Sequence, residues 1–252
     1  MAAGDTTTIY SDTNGRAGAV FDGVDDHVAI NPYSFTKDFT LSFWIFADRQ
    51  TTSNIYNFDY WGTAFNQNAI RIKTDDDGAI DFIISENNLN SLVSFTNLPD
   101  RTWTHIVFSY DGVTMDIYKN GLPVDDATAT DSFVTDTDHI VLGGQRDLNA
   151  SRFFKGKLSN FKIYDRKVTD AEAVLLAADR PVTNGLTHHY KLDTDYTDSA
   201  GSSDGSNAGS YLSIVDDKLA QQVANLRVTA NDKWFMSTQD KQLAITHIEE
   251  VA

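Results

Sequence analysis

The residues able to do chemistry in this 252-residue chain gather in a few short stretches. Residues 54–66 bring Tyr56, Phe58, Tyr60 and Trp61 together with Asn57, Asp59 and Asn66. A pyranose has an apolar face and a hydroxyl rim, so its site needs aromatic surface beside carboxylate and amide groups. Tyr56, Phe58 and Tyr60 alternate, which reads first as one face of a strand. Trp61 breaks the alternation beside Gly62 and is the candidate exposed platform, with Tyr60, Asp59 and Asn66 around it. A second stretch, Gln145-Arg146-Asp147-Leu148-Asn149-Ala150-Ser151-Arg152, lies between two expected strands. Loops on rigid scaffolds often carry ligand groups. Arg146, Asp147, Asn149 and Arg152 are the candidates there, with a plain solvated loop as the competing reading. The Asn149-Ala150-Ser151 sequon reads as chance. Gly201-Ser202-Ser203-Asp204-Gly205 matches G-x-S-x-G, but that motif needs a strand-to-helix elbow to expose its serine. Here it sits in a Gly/Ser-rich loop with no strand pattern before it, so it reads as coincidence.

Composition closes other routes. Zero cysteines remove disulfides, thiolate zinc sites and cysteine nucleophiles. The six histidines show no zinc-ligand spacing. Acids outnumber bases 36 to 20, a formal charge of −16, with no basic stripe to hold nucleic acid or an anionic membrane. Only Glu86, Glu172, Glu249 and Glu250 among those acids are glutamates. Aspartate prefers turns and caps where glutamate prefers helices, so many turns are expected. Aspartate also supplies the hard oxygens that calcium takes, although no EF-hand spacing surrounds Gly78 or Gly112. No apolar run approaches the roughly 20 residues of a membrane span, so no membrane insertion is expected. Residues 1–8 have neither a basic n-region nor an apolar h-region, and no signal peptide is expected.

The elements that must position these residues are strands. Phe39–Ala47 alternates Leu41, Phe43 and Ile45 with Ser42, Trp44 and Phe46. Residues 69–73, 79–85, 92–95, Thr104–Tyr110 and Thr114–Lys119 behave alike. Asp75-Asp76-Asp77-Gly78, Asp111-Gly112, Asn120-Gly121 and Gly143-Gly144 punctuate them, a pattern that predicts an antiparallel sandwich or barrel. Trp44 and Trp103 are expected in its core. One helix is predicted, where Thr169-Asp170-Ala171-Glu172 forms a capping box and Arg180-Pro181 stops the turn. Residues 199–210 read as a flexible loop or linker. Leu219, Gln222, Val223 and Leu226 have helical spacing, and residues 243–248 fit strand or helix.

Four blocks resemble a known family. Ala19-Val20-Phe21-Asp22-Gly23-Val24-Asp25-Asp26-His27-Val28 is similar to the opening of laminin-G-like, concanavalin A-like jelly-roll modules. Phe39-Thr40-Leu41-Ser42-Phe43-Trp44-Ile45 follows, then Trp103-Thr104-His105-Ile106-Val107-Phe108-Ser109-Tyr110-Asp111-Gly112 with Asp116-Ile117-Tyr118-Lys119-Asn120-Gly121. The last block is Gly156-Lys157-Leu158-Ser159-Asn160-Phe161-Lys162-Ile163-Tyr164-Asp165-Arg166. The resemblance implies an all-β, antiparallel jelly-roll sandwich over residues 1–200, one short helix, and a linker with a small appendage over 201–252. Gly185-Leu186-Thr187-His188-His189-Tyr190-Lys191-Leu192-Asp193 resembles the segment that normally opens such a module, here displaced to its C-terminal side. A permuted strand from residues 185–200 is the first reading. A strand donated to a neighbouring subunit and the start of a second module are the others.

The resemblance also implies function. Glycosidases of this fold set two glutamates and an aspartate alternating on one strand; the counterpart 79–86 has Ala79 in place of the first acid, so catalysis is not expected. Many modules bind a structural calcium, and the matching positions are Asp22, Asp25 and Asp26 with Asp198 and Ser199. Ser159-Asn160 replaces the acid usual before the final strand. The expected function is non-catalytic recognition of an extracellular or cell-surface glycan or glycoprotein, with calcium as cofactor. The alternative is a structural component of a phage or virus: a fibre head, receptor binder or capsid decoration. There, residues 211–252 would join virion neighbours or form a homo-oligomer. A polysaccharide-degrading enzyme ranks third. The expected place is extracellular or on a virion surface, with the cytoplasm left open.

Overall fold

The computed structural model describes residues 16–48, 55–61, 69–86, 89–129, 137–145, 147–148 and 151–213, and four short strands beyond. The chain divides into two compact units, Ala17–Ile214 and Met1–Arg16 with Val215–Ala252. In the smaller unit β16 (Leu226–Arg227) pairs with β19 (Glu249–Glu250), and β17 (Trp234–Met236) with β18 (Leu243–Ile245). The helical spacing of Leu219, Gln222 and Val223 lies outside the described residues.

The larger unit opens with β1 (Gly18–Asp22), β2 (His27–Ser34), β3 (Phe39–Ala47), β4 (Ile55–Trp61), β5 (Ala69–Thr74), β6 (Ile80–Glu86) and β7 (Leu89–Phe95). It continues with β8 (Thr104–Tyr110), β9 (Thr114–Lys119), β10 (Leu122–Thr128), β11 (Thr137–Leu142) and β12 (Lys155–Tyr164). Helix α1 (Asp170–Ala177) follows, then β13 (Leu186–Tyr190), β14 (Gly205–Ala208) and β15 (Tyr211–Ser213). One sheet runs β10-β9-β8-β3-β12-β1-β15, with β13 also on β12, and the other β14-β2-β11-β4-β5-β6-β7. All-β with two antiparallel sheets and one helix is the fold the sequence predicts.

Alternation decides what each strand buries. Leu41, Phe43 and Ile45 are at most 1% exposed, each contributing roughly 2 kcal/mol by leaving water. Between the sheets Phe161 stacks on Phe58 with ring centroids 5.7 Å apart, and Phe82 meets Phe108 at 4.8 Å. Trp103 is buried, but outside this core and against Phe46. Trp44 departs from expectation. It is only part-buried, and its indole N–H donates to Asp179 Oδ1 at 3.1 Å.

Asn160, with φ of 54°, interrupts β12 and shifts its register against β3 between Ser159 and Lys162. The two halves of β12 consequently take different neighbours, Leu158 pairing with Ala19 of β1 and Phe161 with Tyr190 of β13. The tail also carries β14 onto β2 and β15 onto β1. The Gly/Ser-rich stretch expected as a loop or linker therefore contains a strand. Helix α1 has the predicted capping box. It ends in a Schellman pattern: Asp179, φ 52°, and Arg180 donate to Leu176 O and Leu175 O.

Candidate functional site

The site begins at an irregularity in β4. Ile55, Phe58 and Tyr60 enter the core, and the pairing with β5 shifts between Tyr56 and Phe58, so an extra residue is inserted there. Tyr56 is consequently on the opposite face from Phe58 and Tyr60, contrary to the alternation expected of all three. Asn57, the inserted residue, is 1% exposed, yet neither its Nδ2 nor its Oδ1 has a hydrogen-bond partner. Its carbonyl is held by Gly143 N–H at 2.9 Å.

Register then builds a row across the outer face of the second sheet. Ala29 of β2 lies opposite Val141 of β11, which lies opposite Asp59 of β4. Asp59 faces Arg71, Arg71 faces Ile83, and Ile83 faces Leu92. The Asp59 side chain is sealed from solvent with Arg71 Nε 3.9 Å away. A parallel row carries Tyr56, Lys73, Asp81 and Ser94; Lys73 Nζ lies 3.8 Å from Asp81 Oδ2. At the far end Ile83 is buried and Leu92 is half-exposed.

The segment after β11 closes one side. Tyr56 N–H donates to Arg152 O at 3.1 Å, and Tyr56 bridges Phe153. The Arg152 guanidinium lies 5.6 Å above the Tyr56 ring, a cation–π contact. Its Nη1 donates to Gln145 Oε1 at 2.9 Å and to the Tyr56 hydroxyl at 3.4 Å. Burial raises the Tyr56 pKa and the Asp59 charge adds to it, so this hydroxyl stays protonated. Burial likewise raises the Asp81 pKa, partly offset by Lys73.

The expected site residues divide on this geometry. Asp59 and Arg152 fall on one patch, and Asp147 is exposed in the turn after Gln145. Tyr60 is in the core, 0% exposed, because its position in β4 points inward. Trp61 ends β4; its side chain, and Asn66, Arg146 and Asn149, lie outside the described residues. Tyr56, Asn57, Arg71 and Gln145 were not candidates. Alternation in 69–73 put Arg71 on an outer face, but only pairing with β4 joins it to Asp59.

The aspartates expected around calcium separate into two groups. Asp22, Asp25 and Asp26 each offer a carboxylate oxygen within 4.8 Å of the others. Asp22 Oδ1 accepts from Val24 N–H at 2.7 Å, and Asp26 Oδ2 from Asp22 N–H at 2.9 Å, which folds the β1–β2 turn. Asp198 is not in that group. Its Oδ1 accepts from the backbone N–H of His189, Ala200 and Gly201, and its Oδ2 from Ser203 N–H and His188 Nδ1. Burial would raise its pKa, but these donors hold the carboxyl below its ordinary value. Ser199 Oγ donates to His189 O. Ser203 of the G-x-S-x-G match is likewise in this turn, ahead of β14 rather than on an elbow.

A second concavity of about 410 Å3 is lined by Asp116, Tyr118, Asp125, Asp126 and Asp170. Tyr118 donates to Asp170 at 2.8 Å within it, and Lys167, from outside the lining, pairs with Asp116 at 2.7 Å.

Two apposed antiparallel sheets with a polar outer face define a β-sandwich of the jelly-roll kind. The chain belongs to the concanavalin A-like lectin/glucanases superfamily, whose laminin-G model matches residues 22–174. Among solved structures it is similar to a heptameric SAP-like pentraxin from Limulus polyphemus, at 16% identity and TM-score 0.59, over 80% of this chain and 96% of that one. A putative carbohydrate-binding protein from Bacteroides ovatus gives 19% identity and TM-score 0.59, over 80% of this chain and 60% of that one. Domain 4 of an extracellular arabinanase from Geobacillus stearothermophilus, solved with arabinotriose, gives 22% and 0.52, over 63% and 76%. No curated protein sequence matches the chain. No helix among the described residues is long and apolar enough to cross a membrane.

Proposed function

We propose that this chain is a non-catalytic carbohydrate-binding module whose saccharide lies along the outer face of the second sheet. The observation that carries this reading is Arg152 held over Tyr56 by Gln145, on the same face as the Asp59–Arg71 pair and the half-exposed Leu92. Sugar recognition needs these two elements together, fixed polar groups beside apolar surface. Three strand spacings separate β4, where Arg152 lies over Tyr56, from Leu92 on β7, about 14 Å, a length that suits an oligosaccharide. Two structural neighbours, a putative carbohydrate-binding protein and an arabinanase domain in complex with arabinotriose, lend support. A glycan array run with and without a chelator tests the reading. Binding that Tyr56→Ala reduces supports it; no binding in either condition overturns it.

Calcium is the second reading, favoured by the three carboxylates within 4.8 Å. Charge and spacing fit a hard cation. Asp22, Asp25 and Asp26 would hold it, with carbonyls and waters completing the six to eight oxygens it takes. Bound there, the ion would stiffen the β1–β2 turn.

A further inference from the structure

Resting on that carbohydrate reading, we propose that the saccharide is acidic: a sugar of the uronate type, whose carboxylate is bound by Arg152. The charged groups of this chain show why. Most of the half-buried cations among the described residues are matched by carboxylates. Arg166 forks onto Glu172 at 2.6 and 2.8 Å, Arg101 and Lys155 reach Asp48 at 2.8 and 3.1 Å, and Lys167 reaches Asp116 at 2.7 Å. On the site's own face Arg71 has Asp59, and Lys73 has Asp81.

Arg152 is different. In a chain with 36 acids and 20 bases, it is half-buried and held only by neutral groups, the Gln145 carbonyl, the Tyr56 hydroxyl and the Tyr56 ring. Among the described residues no carboxylate pairs with it. Its Nη1 is engaged, so the fork formed by Nε–H and Nη2–H is the edge available to a ligand. Two parallel N–H donors of that kind match a planar carboxylate in a bidentate pair. Stacking on Tyr56 fixes the plane of the guanidinium, so little side-chain freedom remains to be lost on binding.

A second observation points the same way. Asn57 follows Tyr56 in the chain, and its buried amide makes no hydrogen bond. Buried polar groups are nearly always satisfied, and each exception calls for an explanation such as strain, a functional role or a bound water or ion. Its two amide donors and its acceptor are thus unspent one residue away from the Tyr56 ring that carries Arg152. The nearby carboxylates do not oppose an anion, since Asp59 and Asp81 each face a cation on β5.

Calorimetry with oligogalacturonates and with their methyl esters tests the assignment. The acids are expected to bind at least tenfold more tightly than the esters, and their affinity to weaken as salt rises. Arg152→Gln is expected to lose about 10- to 100-fold for the acids, the loss of a charged hydrogen-bonded pair. Arg152→Lys, which keeps the charge without the fork, is expected to fall between, with both variants melting cooperatively. Esters binding as tightly as acids, or Arg152→Gln binding acids like the parent chain, overturns the acidic assignment. If neutral saccharides on the array bind in a Tyr56-dependent way, the carbohydrate reading survives that failure. If no saccharide binds, both fall.

Discussion

Asp59 and Arg71 stand directly opposite each other on β4 and β5, with Arg71 Nε 3.9 Å from a carboxylate that is wholly sealed from solvent. Such a pair is costly to break, because removing one partner leaves the other charge in a poor solvent. Losses of about 3–5 kcal/mol are typical for fully buried pairs. Arg71 retains 14% side-chain exposure, so Asp59→Asn is expected to cost about 2–3 kcal/mol. A urea titration checks this; an unchanged midpoint would show that the pair is not an anchor of this face.

The tail from β13 to β15 belongs to the sandwich energetically. Tyr190 and Leu192, both 0% exposed, are part of its main core, and β13, β14 and β15 pair with β12, β2 and β1. Ending the chain at Arg180 strips those contacts and bares the edges of β1 and β2. The truncated chain is expected to lose cooperative melting at 25 °C or to aggregate. A melt as stable as that of the full chain would contradict this.

Within that tail Asp198 gathers four backbone N–H groups and His188. A Cβ at Gly201 would lie 2.4 Å from Asp198 Oδ2 and 2.7 Å from Thr187 O. Gly201→Ala is therefore expected to cost roughly 1–3 kcal/mol through overpacking. Ser203→Ala, in the same turn, is expected to change stability by less than about 0.5 kcal/mol, because only its backbone N–H and carbonyl make contacts. Equal losses for the two would contradict the packing assigned to this turn.

Acid sensitivity follows from His189. Burial, then the charges of Lys162 and Lys191, hold its pKa at about 4. The neutral ring donates Nε2–H to Asn160 Oδ1 at 2.6 Å. The folded value is below the unfolded one, about 6.5, so the unfolded chain binds the extra proton. Stability from this group is full above pH 6.5 and is lost as pH falls toward 4. The melting temperature is expected to drop between pH 7 and 5, and His189→Gln to shallow that slope. An identical slope in the variant would remove His189 from the explanation.

Calcium binding has a clean variant. Asp22 and Asp26 help to fold their own turn, whereas among the described residues Asp25 hydrogen-bonds only through its backbone, N–H to Asp22 and carbonyl to His27. Calcium at 100 times its Kd is expected to stabilise the chain by about 2.7 kcal/mol. Asp25→Asn is expected to abolish that gain with little change in the metal-free melt. Absence of a calcium-dependent shift in the parent chain would dismiss this ion.

What the sequence made legible follows from range. The bounds of β3, β8 and β9 and the Thr169–Glu172 capping box are local patterns: one face turned to the inter-sheet core sets the alternation, and one cap sets the helix start. The site was much less legible. The alternation of Tyr56, Phe58 and Tyr60 looks unbroken in the sequence, and only pairing with β5 reveals the extra residue that turns Tyr56 outward. Arg71 meets Asp59, and Arg152 meets Gln145 and Tyr56, through register and loop closure that no short window contains. Asp198 was named from the resemblance alone, and its bonds to His188 and His189 of β13 depend on a turn closure that no spacing in the sequence displays.

The most direct test is amide chemical-shift mapping of the full chain titrated with a saccharide that binds on the array. Binding on the outer face of the second sheet predicts shifts at Tyr56, Asn57, Asp59, Arg71, Gln145 and Arg152. Shifts confined to the Asp22–Asp26 turn, or to the groove of Asp116 and Tyr118, would contradict it.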